Sequence, residues 1–123
     1  MTKNQEKWRL LEDIRKGKFC FLIGVDNWSI ELQKSEFESL YYLLLRINEQ
    51  LLGIEKELMD EEYISLEIEQ LPWFIELKGK KNEWSLRFVF ESQDQTRSFE
   101  MYWPIPIAQN LFYEIKKMWE SMD

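Results

Sequence analysis

The 123-residue chain predicts an α+β fold in which two antiparallel sheets are each followed by a helix. Three observations carry that prediction. Apolar and polar residues alternate through several short runs, the period of a strand with one face buried. The stretch from about Ser35 to Met59 repeats its apolar residues every three or four positions instead, the period of a helix. A pattern of strand, glycine, asparagine and Trp-Ser-aliphatic occurs twice, once before that helix and once after it.

Taken in order, Trp8 to Leu11, Phe19 to Ile23 and Trp28 to Leu32 read as three strands. The long helix of about 35–59 follows, with Phe37, Leu40, Leu44, Ile47, Leu51, Ile54 and Leu58 on one stripe. Ser35 and Glu38 have capping-box spacing at its start. Leu43, Leu45 and Leu52 widen the stripe, so the helix is expected to lie across a sheet and against another helix. Four alternating strands come next. Ile64, Leu66 and Ile68 mark the first, Trp73, Ile75 and Leu77 the second, Trp84, Leu86, Phe88 and Phe90 the third, and Phe99, Met101 and Trp103 the fourth. Ser92 to Gln95 is a polar turn between the last two. Pro104 and Pro106 open a final helix of about 106–121, with Ile107, Leu111, Ile115, Met118 and Met122 inward.

The twice-used pattern pairs Phe21-Leu22-Ile23-Gly24-Val25-Asp26-Asn27-Trp28-Ser29-Ile30 with the run from Glu76 through Gly79 and Asn82 to Trp84-Ser85-Leu86, with one insertion. Trp8 and Tyr63 sit at matching distances upstream. Duplication would make residues 1–123 a single domain of two pseudo-repeats, about 7–60 and 61–123; two similar hairpins arising independently would leave the same trace.

Composition narrows the function. The chain has no histidine, which excludes His-based triads, the usual zinc sites and a histidine pH switch. One cysteine, Cys20, allows no intrachain disulfide and fits a reducing compartment; it reads as a small hydrophobe in an apolar strand. No apolar run reaches the ~18 residues of a membrane span, and MTKNQEKW has no signal-peptide core, so a cytoplasmic protein without membrane contact is expected. Four glycines leave no phosphate-cradling loop, and no acid pair is marked by a base or a nucleophile motif. The expectation is a non-catalytic protein with no cofactor, no catalytic residue and no metal site.

The net charge of −7 argues against a generic nucleic-acid groove. The bases are nonetheless uneven, with one group from Lys7 to Lys18 and a second, Lys78, Lys80 and Lys81, around Gly79. Solvated faces that keep a protein soluble have the same look.

Asp26-Asn27-Trp28-Ser29-Ile30-Glu31-Leu32, Glu57-Leu58-Met59-Asp60-Glu61-Glu62, Trp84-Ser85-Leu86-Arg87-Phe88 and Arg97-Ser98-Phe99-Glu100 before Trp103-Pro104 together resemble a small cyanobacterial family of unknown function, domain family 1818. The resemblance covers nearly the whole chain after Trp8. It implies a fold similar to the Whirly proteins and the positive-cofactor-four transcriptional coactivators, which bind single-stranded DNA on two copies of a four-strand sheet and helix. The Whirly lysine-rich signature has no counterpart here, and no functional residue of those DNA binders falls on a matching position. Fold alone does not carry function.

Two candidate sites follow. Lys78, Lys80, Lys81 and Arg87 would contact phosphates of single-stranded DNA or RNA, and Phe74 and Tyr102, on the face opposite the core tryptophans, would stack bases. The competing reading pairs Lys78 and Arg87 with Glu76 and Glu91 across strands. Asp60, Glu61 and Glu62 follow the C-terminal end of the long helix, where negative charge is disfavoured. They would meet a basic protein, a hard cation, or Lys and Arg of the same chain, and consecutive acids lack metal-loop spacing. Around the long helix, Tyr41, Tyr42 and Leu45 leave both a monomer and a homodimer open.

Overall fold

Among the described residues the order is four strands and a helix, twice over, with one 3-10 turn at Ile14–Lys16. The computed structural model describes residues 2–4 and 7–122. Strands β1 (Thr2–Asn4), β2 (Trp8–Glu12), β3 (Phe21–Val25) and β4 (Trp28–Leu32) form one antiparallel sheet in chain order, and α1 (Lys34–Glu55) follows. Strands β5 (Ile64–Gln70), β6 (Trp73–Lys80), β7 (Glu83–Glu91) and β8 (Ser98–Trp103) form the second, and α2 (Ile107–Glu120) follows.

Both helices pack on the second sheet. α1 packs on β5 and β6 of the sheet that comes after it, while α2 packs on β7 and reaches back to β2, and the helices touch each other. One hydrophobic core therefore includes residues of both sheets and both helices. Trp73, Trp84 and Trp103 are in it, as strand parity requires, and so are Phe37, Leu40, Leu44, Ile47 and Leu51 of the α1 stripe. Aromatic rings link the layers: Phe21 stacks on Phe37 at 4.1 Å, and Phe88 meets Trp103 at 4.4 Å. Tyr41 of α1 donates to Glu120 Oε2 of α2 at 2.6 Å.

Several sequence expectations need correction. β1 was not foreseen, and Phe19 and Cys20 precede β3 rather than belong to it. Cys20 is only half-buried, and its carbonyl accepts from Asp13 N–H at 2.8 Å. α1 ends at Glu55, short of Met59, because the acids that follow suit a helix C-terminus poorly and the chain turns there, with Leu58 N–H donating to Glu55 O. The capping box is formed by Gln33 and Glu36, not by Ser35 and Glu38: Glu36 Oε1 accepts from Gln33 N–H at 2.8 Å. Leu52 is exposed, so the apolar arc of α1 is narrower than read.

The repeat holds for the order of elements and loosens at the residues. Both hairpins turn through two residues, Asp26-Asn27 and Lys81-Asn82, which aligns Trp28 with Glu83 rather than with Trp84. Gly24 and Gly79 also do different work. Gly24 faces outward and leaves room for the Arg9 guanidinium, which donates to the carbonyls of Asp26 and Trp28. Gly79 faces the core with φ 147°, and a Cβ there would stand 2.4 Å from Glu83 O.

Candidate functional site

With the inner faces committed to the core, the solvent face of the second sheet is where the sequence candidates gather. Register fixes its rows: Glu67, Glu76, Arg87 and Tyr102 lie side by side across β5 to β8, and Glu69, Phe74, Val89 and Glu100 form the next row. Ser65, Lys78 and Ser85 form a third. Phe74 and Tyr102 thus share the outer face as expected; Tyr102 is 52% exposed and Phe74 half-buried.

Each basic side chain of the candidate nucleic-acid set is already held by an acid. Arg87 Nε lies 3.2 Å from Glu76 Oε1 and its Nη1 2.9 Å from Glu100 Oε1, while its guanidinium sits 5.6 Å from the centre of the Phe74 ring. The hydrogen bond to Glu76, more than any other contact, raises the Arg87 pKa above the usual guanidinium range. Lys78 is 3.8 Å from Glu76. Lys80 donates to Glu61 at 2.8 Å, a bond that raises the ammonium pKa, and Lys81 pairs with Asp60 at 2.9 Å while donating to Leu58 O.

The two candidate sites therefore meet. The loop after α1 lies against the β6–β7 turn, so Asp60 and Glu61 find their partners in Lys81 and Lys80 of the same chain, and Glu62 Oε1 accepts from Met59 N–H. These pairs are exposed, and such pairs are worth less than about 1 kcal/mol each. They still oppose ligand binding: a phosphate at Lys80 or Lys81 has to displace a carboxylate first. Arg87 pairs with Glu76 and Glu100 rather than with Glu91, since Glu100 is one strand over and one row away while Glu91 is two rows off.

The acids remain in excess. The face carries Glu67, Glu69, Glu76, Glu83, Glu91 and Glu100 against Lys78, Lys80 and Arg87. Glu67 stands directly opposite Glu76, an arrangement that raises the local negative potential. Among the described residues, no ion pair engages Glu67, Glu69 or Glu91, and no group of three or more Cys, Asp and Glu is placed to hold a metal ion. Among the same residues, no helix is long and apolar enough to cross a membrane.

Sequence reasoning missed one central residue. Arg97, on the loop before β8, donates through Nη1 to both Glu36 oxygens at 3.0 and 2.8 Å and through Nη2 to Glu31 O at 2.7 Å. It joins the first sheet, the start of α1 and the second sheet. Its only signal was membership of the Arg97-Ser98-Phe99-Glu100 block.

A family model described as Domain of unknown function (DUF1818) matches residues 3–118. A crystal structure of a protein with unknown function from Prochlorococcus sp. NATL2A, described as from the DUF155 family, is similar with a TM-score of 0.89 and 32% identity, over 97% of this chain and 98% of that one. The two family designations differ, and neither carries an activity. No curated protein matches the chain.

Proposed function

Since the chain belongs to the family described as Domain of unknown function (DUF1818), we propose its function from the surface itself: a non-catalytic module that binds a basic protein segment on the outer face of its second sheet. The observation behind this reading is the charge of that face. Its six glutamates outnumber Lys78, Lys80 and Arg87, and all three bases already hold acids. Such a face attracts cationic partners and speeds their encounter. The same charge opposes single-stranded DNA or RNA, the partner implied by the Whirly-like resemblance, even though Tyr102 and Phe74 offer rings.

Fluorescence anisotropy separates the two. Labelled nona-arginine peptide is expected to bind at ~50 mM salt and to weaken as screening rises. A labelled single-stranded oligonucleotide is expected to stay free at micromolar protein. Oligonucleotide binding that falls with salt at a slope of roughly 0.7 per neutralised phosphate, with no peptide binding, would overturn the reading.

A further inference from the structure

We infer that the acidic face ends in a seat for a single arginine side chain of the partner, floored by Phe74 and Val89, walled by Leu71 and Pro72 and flanked by Glu69 and Glu91. The inference rests on the acidic-face reading and makes it specific. These residues line a cavity of about 310 Å³ beside the β5–β6 turn. The turn forms one wall: Leu71 is 77% exposed, and Glu91 N–H donates to Pro72 O at 3.0 Å, drawing the end of β7 to the turn.

Two features choose the occupant. The floor is apolar where the rest of the face is polar, since Phe74 and Val89 stand opposite each other on β6 and β7. The charges bordering it, Glu69 and Glu91, are carboxylates that no ion pair among the described residues engages, whereas Glu76 and Glu100 hold Arg87. An apolar floor under a negative rim fits a side chain with an aliphatic stem and a cationic end. The volume is at the lower limit of ligand pockets and suits one side chain rather than a free organic ligand. Arginine fits better than lysine, because a planar guanidinium stacks on a ring, bonds a carboxylate in two places and is less strongly hydrated. The Phe74 ring already bears one guanidinium, that of Arg87. An anionic ligand is repelled by the same rim.

Amide chemical shifts of the ¹⁵N-labelled protein test the seat, with capped arginine (Nα-acetyl-arginine methylamide) and the capped lysine and capped citrulline analogues as probes. Capped arginine is expected to shift the amides of Phe74, Val89 and Glu91, capped lysine to shift them less, and uncharged citrulline to leave them in place. In the double variant Glu69→Gln, Glu91→Gln the arginine shifts are expected to vanish; both side chains are on the surface, so the fold is retained. Equal shifts from citrulline, or shifts that survive the double variant, overturn the seat. Nona-arginine that binds while capped arginine leaves these amides unmoved overturns the seat and keeps the acidic-face reading. Failure of nona-arginine itself overturns both.

Discussion

Replacing Arg97 by Ala is expected to lower stability by about 3 kcal/mol, because it leaves a nearly buried carboxylate without its cation. The Glu36 side chain is 10% exposed and the Arg97 side chain 26%. Removing one partner of a fully buried pair costs roughly 3–5 kcal/mol, and the exposed edge of Arg97 admits enough water to hold the loss at the low end. The guanidinium also leaves the Phe19 and Phe90 rings, which lie 4.6 and 5.3 Å from it, and releases the Glu31 carbonyl. Unfolding entropy near 2.1 cal/mol/K per residue gives roughly 4 °C of Tm for each kcal/mol in a chain of this length, so the melting point should fall by about 12 °C. Arg97→Lys keeps the charge but not the fork, and should fall in between. The double variant Glu36→Gln, Arg97→Met removes both charges and should recover much of the loss, since a buried pair is seldom better than a neutral replacement. Thermal melts followed by circular dichroism read all three. A drop below about 3 °C in the Ala variant, or a double variant no better than the single one, would refute the reasoning that Glu36 depends on Arg97.

The glycines and one tyrosine give two further predictions. Gly79→Ala should cost at least about 2 kcal/mol in urea titrations, because its Cβ meets backbone at 2.4 Å and its φ is 147°. Gly24→Ala should cost about 1 kcal/mol, the worth of the displaced Arg9 hydrogen bonds, since the obstructing group there is the end of a side chain; equal losses would contradict the assignment. Tyr41 is held neutral up to about 12 by its hydrogen bond to Glu120, then by burial and the Glu120 charge. Because the folded value is raised, this contribution is complete below the ordinary tyrosine value of 10.0 and disappears as pH rises through about 12. Absorbance titration should show one late tyrosine, and Glu120→Gln should bring it earlier.

The period of the side chains made most of the fold legible. Ile64 to Ile68, Trp73 to Leu77 and Trp84 to Phe90 alternate with period two, and each lies inside an observed strand. Phe37 to Leu51 has period near 3.6 and is helical. What stayed hidden depends on contacts distant in sequence. The α1 cap falls on Gln33 and Glu36 because Arg97, 61 residues away, holds the Glu36 carboxylate, and nothing in the spacing of Ser35 and Glu38 reports that. The Gly-Asn-Trp resemblance between the hairpins misled for a related reason. Gly24 and Gly79 precede their turns on opposite faces, and the inserted Glu83 then brings Trp84 to the inner side that Trp28 also occupies, which only the strand register shows. Strand parity put Lys78 and Arg87 on the outer face, where Glu76 and Glu100 hold them, while the pairing of Lys80 and Lys81 depends on where the loop after α1 comes to rest.

The single core shared by both sheets and both helices limits what this fold can offer a ligand. The inner faces of both sheets and the apolar faces of both helices are spent on that core, which leaves the outer faces and the sheet margins for a ligand. On the outer face of the first sheet, Arg9 lies across Gly24 with its guanidinium fixed by two carbonyls. Near the second sheet, the charges of the turn and loop neutralise one another as Lys80 with Glu61 and Lys81 with Asp60. What these internal pairs leave over is the carboxylate excess of β5 to β8, concentrated where Glu67 faces Glu76 and where Glu69 and Glu91 border the Phe74 ring. The net charge of −7 is thus uneven over the surface, and on the proposed reading its excess on β5 to β8 is what a cationic partner would meet.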